Sequence, residues 1–148
     1  MAIRIVRLGA RRARDEGLRI GTVRRPPRGV PKGDFGRRDY FDVWLPELAP
    51  SAPVVSWALS EPWTPARWRR YVRRYRREMS EPRARHLIAT LAALSRQTNF
   101  SVGCYCADAG HCHRTLLGKL LAAAGAVVES ARYLLFSSQS ETGRPSTA

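Results

Sequence analysis

The order of patterns along the chain predicts an α/β fold. The expected form is a single compact domain over residues 1–136, with a mostly parallel sheet flanked by helices and a C-terminal strand, loop and helix that carry a Cys-His-Arg motif. Three observations predict it. Two short stretches near the start alternate apolar and polar residues, as half-buried strands do. Two later stretches repeat apolar residues at helical spacing behind N-cap and proline start signals. The C-terminal half then reads strand, loop, helix, strand, the order of a parallel βαβ unit.

The alternating stretches are IRIVRL (Ile3 to Leu8) and LRIGTV (Leu18 to Val23), separated by the turn-prone Asp15-Glu16-Gly17. RRPPRGVPKGDFG, from Arg24 to Gly36, has too many prolines and glycines for regular structure and reads as a loop. YFDVWLPEL, from Tyr40 to Leu48, is expected as a short helix that APSAP then ends. Thr64 is an N-cap with Pro65 behind it, and Trp68, Tyr71, Val72, Tyr75 and Met79 follow on one face. That spacing makes the aromatics core rather than base-stacking residues. The opposite face carries Arg69, Arg70, Arg73, Arg76 and Arg77 with few acids to offset them. Ser80 and Pro82 start a second helix, with Leu87, Ile88, Leu91 and Leu94 on its apolar face. NFSVGCY reads as a buried strand, Thr115 to Ala124 as a helix stopped by Gly125, and AVVE as a further strand. Residues 137–148 have the composition of a disordered tail.

A chain of 148 residues is long enough to bury a core without disulfides or metals. No apolar run approaches the ~20 residues of a membrane span, so a soluble, cytoplasmic protein is expected. Three clustered cysteines are an odd number, and reduced thiols are the default. A net charge of +14 points to a polyanionic partner, either an anionic small molecule or nucleic acid. Lys32 and Lys119 are the only lysines, however, and enrichment in arginine and alanine is also what GC-rich coding DNA produces.

CYCADAGHCHR, from Cys104 to Arg114, holds all three cysteines and two of the three histidines. It lies between a strand and a helix, where parallel sheets bind their ligands. Three readings compete. As a metal site, Cys106, Cys112 and His113 would hold zinc or iron, which folding does not require. The spacing is awkward for it. On one strand the Cα atoms of Cys104 and Cys106 lie about 6.6 Å apart, whereas two thiolates on one zinc lie about 3.7 Å apart, so the strand must end at Cys104. Cys112 and His113, being adjacent, do not readily face one ion. As a thiol site, Cys112 at a helix start beside His113 and Arg114 titrates below the usual ~8.5 and becomes a nucleophile, with Cys106 as resolving partner. As an anion site, the loop N–H groups and Arg114 hold a phosphate. The tyrosine-phosphatase spacing is absent, because the residue six before Arg114 is Asp108. Against all three stands plain architecture, with Cys104 a small core residue.

Several stretches resemble the bacterial domain of unknown function 488 family. CAD at 106–108 followed by CHR at 112–114 is similar to a "C, small, acid, short loop, CHR" motif in one branch of it. RRPPRG (24–29) resembles the family's DRLWPRG loop, WLPELAPS (44–51) its WLKELAPS, and WRRYVRRYRREM (68–79) its WxxFxxRYxxEL. The likeness runs to about Gly125. It implies a compact α/β domain and a site, and no reaction. It marks Arg24, Arg28 and Gly29 in the loop, Trp44, Pro50 and Ser51 in the APS corner, and Arg74, Tyr75 and Glu78 on the basic helix. Val23 and Pro26 stand where the family's loop has Asp and Trp.

Together these readings predict an anion-binding, thiol-containing pocket made by Cys106, Asp108, Cys112, His113 and Arg114, with Arg24 and Arg28 opposite, either as an anion clamp or as a structural tie from the loop to a carboxylate such as Glu78. In an enzyme acting on a phosphorylated or nucleotide-like ligand, Cys112 is the nucleophile, His113 its base or proton donor and Arg114 the phosphate or carboxylate holder. The rivals are a basic nucleic-acid-binding accessory protein that uses the arginine helix, and a zinc- or iron-binding regulator.

Overall fold

The computed structural model describes residues 1–129. Four strands, β1 (Ile3–Arg7), β2 (Leu18–Gly21), β3 (Val43–Trp44) and β4 (Phe100–Cys104), form one parallel sheet in the order β1-β4-β2-β3. The helices are α1 (Ala52–Leu59), α2 (Pro65–Met79), α3 (Pro82–Leu94) and α4 (His113–Ala123). This is the α/β architecture expected. β4 is central, all five of its residues are buried, and Val102 registers with both Ile5 and Ile20. An apolar, small-residue run buried on both faces is what a middle parallel strand requires. Because β2 and β4 run the same way, Thr22 and Cys104 emerge side by side at one sheet end, where Thr22 N bonds Gly103 O at 3.1 Å.

The two early strands and the helices α2, α3 and α4 follow the patterns, with local differences. Tyr40–Leu48 is not a helix. It runs extended along β2, with Asp42 N bonded to Arg19 O and Leu45 N to Gly21 O, and ends in a 3-10 turn over Pro46–Leu48. Phe41 packs where Gly21 lacks a side chain: a Cβ there would lie 2.3 Å from the Phe41 ring. The APSAP prolines do not end a helix but begin one, α1, since Pro53 sits in its first turn where no N–H partner is needed.

In α2 the Thr64 hydroxyl accepts from Arg67 N at 3.1 Å, and Tyr71, Tyr75 and Met79 are buried. Tyr75 is fully buried and donates to Leu48 O at 2.8 Å. α3 starts behind Glu81 rather than Ser80, and Leu94 faces solvent. α4 starts at His113, two residues earlier than expected, and the chain leaves it through Gly125 at φ +94°, which glycine adopts without strain. AVVE supplies only a bridge from Val128 to Ile3. The 137–148 tail lies outside the described residues.

One core feature is absent from the patterns. Arg19, 1% exposed, makes a two-pronged ion pair with Glu16, 3% exposed, at 2.7 and 2.9 Å. Its remaining donor bonds the Ala10 and Asp39 carbonyls, and Ser101 Oγ donates to Glu16.

Candidate functional site

β4 ends at Cys104, which meets the condition that the spacing of Cys104 and Cys106 imposes. The chain turns after Tyr105, and the two sulfurs come to 3.6 Å. Asp108 shapes the loop beyond: Oδ1 accepts from Gly110 N at 2.8 Å, and Oδ2 pairs with His111 Nδ1 at 2.7 Å. Thr115 Oγ1 closes it by bonding Ala109 O at 2.7 Å. This short loop returns the chain to Cys112, the N-cap residue of α4, so that the sulfurs of Cys104, Cys106 and Cys112 all lie within 4.8 Å of one another. That is close enough to share one metal ion.

Burial differs sharply among the three. Cys112 is 2% exposed and Cys104 is buried, whereas Cys106 is exposed. Hydrogen bonds from the Cys104 and Cys112 thiols, opposed by desolvation and helped by His113 and Arg114, pull the Cys106 thiol down to about 2. Cys104 is pushed up to about 11, chiefly by its bond to Cys106. Cys112 is pushed up as well, by its bonds to Cys104 and Cys106 and then by burial. The low-pKa thiol expected at Cys112 is therefore at Cys106: a helix start and an arginine do not outweigh burial beside a thiolate already formed.

The remaining motif residues separate into two groups. Arg114 lies over the cluster, with Nη1 donating to Cys106 O and lying 3.9 Å from Cys112 Sγ. His113 is not part of the cluster. Its Nε2 donates to Thr22 O at 2.5 Å, its ring packs against Tyr75, and burial pulls its pKa down to about 4. The set Cys106, Cys112 and His113 is thus not what converges; Cys104 takes the place of His113.

The sulfurs line a cavity of about 630 Å³. Trp63 and Tyr71 form one wall, Tyr40 and Tyr105 another, and Arg25 and Arg28 stand exposed at its loop side. Arg24 also borders it, but not as a free clamp. Its Nε bonds Pro50 O at 2.9 Å and its Nη2 bonds Pro46 O and Ala49 O at 3.1 and 3.3 Å. Ser51 N bonds Glu78 at 2.9 Å and Trp44 Nε1 bonds Val23 O at 2.8 Å. Of the marked positions, Arg24, Trp44, Pro50, Ser51, Tyr75 and Glu78 form a brace that ties the start of the proline loop to the APS corner and α2, whereas Arg28 and Gly29 take no part in it and Arg74 lies over Trp57.

His111 is among the cavity residues that the sequence reasoning left out, with Arg25, Tyr40, Trp63 and Tyr105. It stacks on Trp63 at 5.6 Å and meets Trp68 edge-on at 5.2 Å, with Asp108 fixing Nδ1. The Asp-x-x-His spacing in a turn is the signal that marks it.

No helix of the described residues is long and apolar enough to cross a membrane. Comparison with curated proteins and with solved structures gives no significant match. Residues 3–125 match the family described as "Active DUF488-N3 subclade". The match spans most of the chain and takes in the brace, the cavity and the cysteine cluster, so the chain belongs to the DUF488 family.

Proposed function

We propose that the cavity binds an anionic, nucleotide-like ligand and that Cys106 is the sulfur that reacts with it. One observation carries this reading: the exposed member of a three-thiol cluster lines a cavity that also carries the rings of Tyr40, Trp63, Tyr71 and Tyr105, with arginines at its loop side. Flat aromatic walls suit a heterocycle, and Arg25 and Arg28 suit a phosphate. In the chemistry this arrangement supports, the Cys106 sulfur bonds to an electrophilic atom of the ligand and the leaving group departs with the electrons of the broken bond. The matched subclade's description as active agrees with a working site. Iodoacetamide labelling with AMP or inorganic phosphate present tests the reading. Labelling falls on Cys106, and AMP slows it more than phosphate does. Labelling at Cys112, or a rate that millimolar AMP leaves unchanged, refutes it.

A second reading has its own observation. The 3.6 Å between the Cys104 and Cys106 sulfurs is close to the ~3.7 Å of two thiolates on one zinc. Under it, Cys104, Cys106 and Cys112 hold the ion and leave a fourth position for the ligand. Elemental analysis of untagged protein then finds one zinc per chain, lost in Cys104→Ser. Metal-free protein that is folded and binds AMP rejects it.

A further inference from the structure

We infer that the exposed face of α2 is a nucleic-acid interface that grips the phosphate backbone, a role separate from the cavity. The structure sorts the arginines by what each already holds. Arg4, Arg12, Arg19 and Arg37 pair with carboxylates. Arg24 and Arg114 bond carbonyls. Arg67, Arg70 and Arg74 lie over the Trp57 ring at 4.3 to 5.4 Å. Arginines without a side-chain partner among the described residues stand elsewhere too, Arg11, Arg14, Arg38, Arg83 and Arg85 among them, but the outer face of α2 gathers four on one helix. Arg69, Arg73, Arg76 and Arg77 are exposed, and among the described residues none of these guanidinium groups has an acid, carbonyl or ring partner.

At ~100° per residue these four fall within about 100° of the helix circumference, opposite Tyr71 and Tyr75. They form one stripe rather than a scatter. From Arg69 to Arg77 the stripe is about 12 Å long, alongside which one DNA strand places three to four phosphates, at about 3.4 Å each. Arg69 and Arg73, Arg73 and Arg76, and Arg73 and Arg77 are like-charged neighbours, which a solvated helix face relieves by interleaving acids. Here residues 65–77 contain none. Codon bias accounts for arginine number but not for the alignment of four unpartnered ones along one helix face.

Guanidinium forks match phosphate oxygens in pairs, which favours a phosphate polymer. A membrane surface fits less well, because the apolar side of α2 that would insert is committed to the core through Tyr71, Tyr75 and Met79.

Fluorescence anisotropy with a 20-base-pair duplex and a 20-nucleotide single strand, at 50 to 200 mM salt, tests the interface. The parent binds at 50 mM salt, with affinity falling steeply as salt rises. The triple variant Arg69→Glu, Arg73→Glu, Arg77→Glu binds at least tenfold more weakly and lowers the salt slope on duplex by about 2 to 3, at ~0.9 per lost phosphate contact. The triple variant Arg11→Glu, Arg14→Glu, Arg38→Glu changes net charge equally at exposed positions elsewhere and stays within about threefold of the parent. Arg69→Gln, Arg73→Gln, Arg77→Gln removes like-charge repulsion and weakens binding in the same direction, so a failure of the Glu variant to fold leaves the test intact. Equal weakening by the two reversal triples, no binding by the parent at 50 mM salt, or preference for phosphatidylserine–phosphatidylcholine vesicles over both oligonucleotides overturns the inference.

Discussion

His113 separates a catalytic base from a structural strut, and acid stability is where the two diverge. Its ring is buried, and Nε2 must carry the proton because Thr22 offers only a carbonyl oxygen. Burial holds its folded pKa down to about 4, against ~6.5 in the unfolded chain. Between these values the unfolded chain binds a proton that the folded chain refuses, so stability falls as pH falls. From pH 7 to pH 5 the linkage relation gives a loss of roughly 2 kcal/mol. Asp15, Glu16, Asp42 and Asp108, all held below their ordinary values, withdraw their contributions only below about pH 4.5. Above pH 5 the Cys106 thiolate, also held below its unfolded value of ~8.5, loses stability in the same direction as His113, so the histidine is read as the difference between the parent and His113→Gln. Urea unfolding followed by far-UV circular dichroism, at pH 7 and pH 5, is expected to show a loss about 2 kcal/mol smaller in His113→Gln than in the parent. Equal losses in the two proteins refute the argument and return His113 to the candidates for proton transfer.

Three further outcomes follow from particular contacts. Glu16→Gln strands the buried Arg19 guanidinium and lowers unfolding free energy by about 3 to 5 kcal/mol in urea titration; a change under 1 kcal/mol means that water reaches Arg19. Iodoacetamide labels Cys106 of the native chain at a rate nearly flat from pH 6 to pH 9, while Cys104 and Cys112 label only after unfolding; a Cys106 midpoint near 8.5 contradicts the placement of the charge. Gly103→Ala in the central strand puts a Cβ 2.7 Å from Leu8 Cδ2 and Val6 O, and overpacking of this kind costs about 1 to 3 kcal/mol, read as a lower Tm.

Elements whose residues carry their own signal were legible. Thr64-Pro65 with apolar residues at helical spacing fixes α2 to the residue, and the alternation of IRIVRL and LRIGTV marks β1 and β2. Segments defined by what lies beside them were not. The chain after Tyr40 has helix-like composition, yet β2 offers it an open edge and Gly21 offers Phe41 a seat, and neither is local to the sequence. The Glu16–Arg19 pair hides in the same way. Three residues apart in a turn-prone stretch, the two look like surface charge, and only the fold around Ala10, Asp39 and Ser101 encloses them.

The site divides along the same line. That Cys104, Cys106 and Cys112 lie at a strand end and a helix start is written in the order of the patterns, and so is the loop that joins them. Which sulfur holds the charge is not. Local rules favour Cys112, because a helix start stabilises an anion by about 0.3 to 2 kcal/mol, which is about 0.2 to 1.5 pKa units. Three thiols within 4.8 Å do not titrate independently, however: one thiolate accepts hydrogen bonds from the other two and raises both. The charge goes to the member that keeps its water, and the exposed sulfur is Cys106. Arg114 then acts through position rather than through adjacency to Cys112, with one nitrogen at the Cys106 carbonyl and close to the Cys112 sulfur. Arg114→Ala is therefore expected to expose the cluster and to raise the pKa of Cys106, while Cys112 stays unreactive in the folded chain. If that substitution instead changes the reactivity of Cys112 alone, the helix start holds the charge after all.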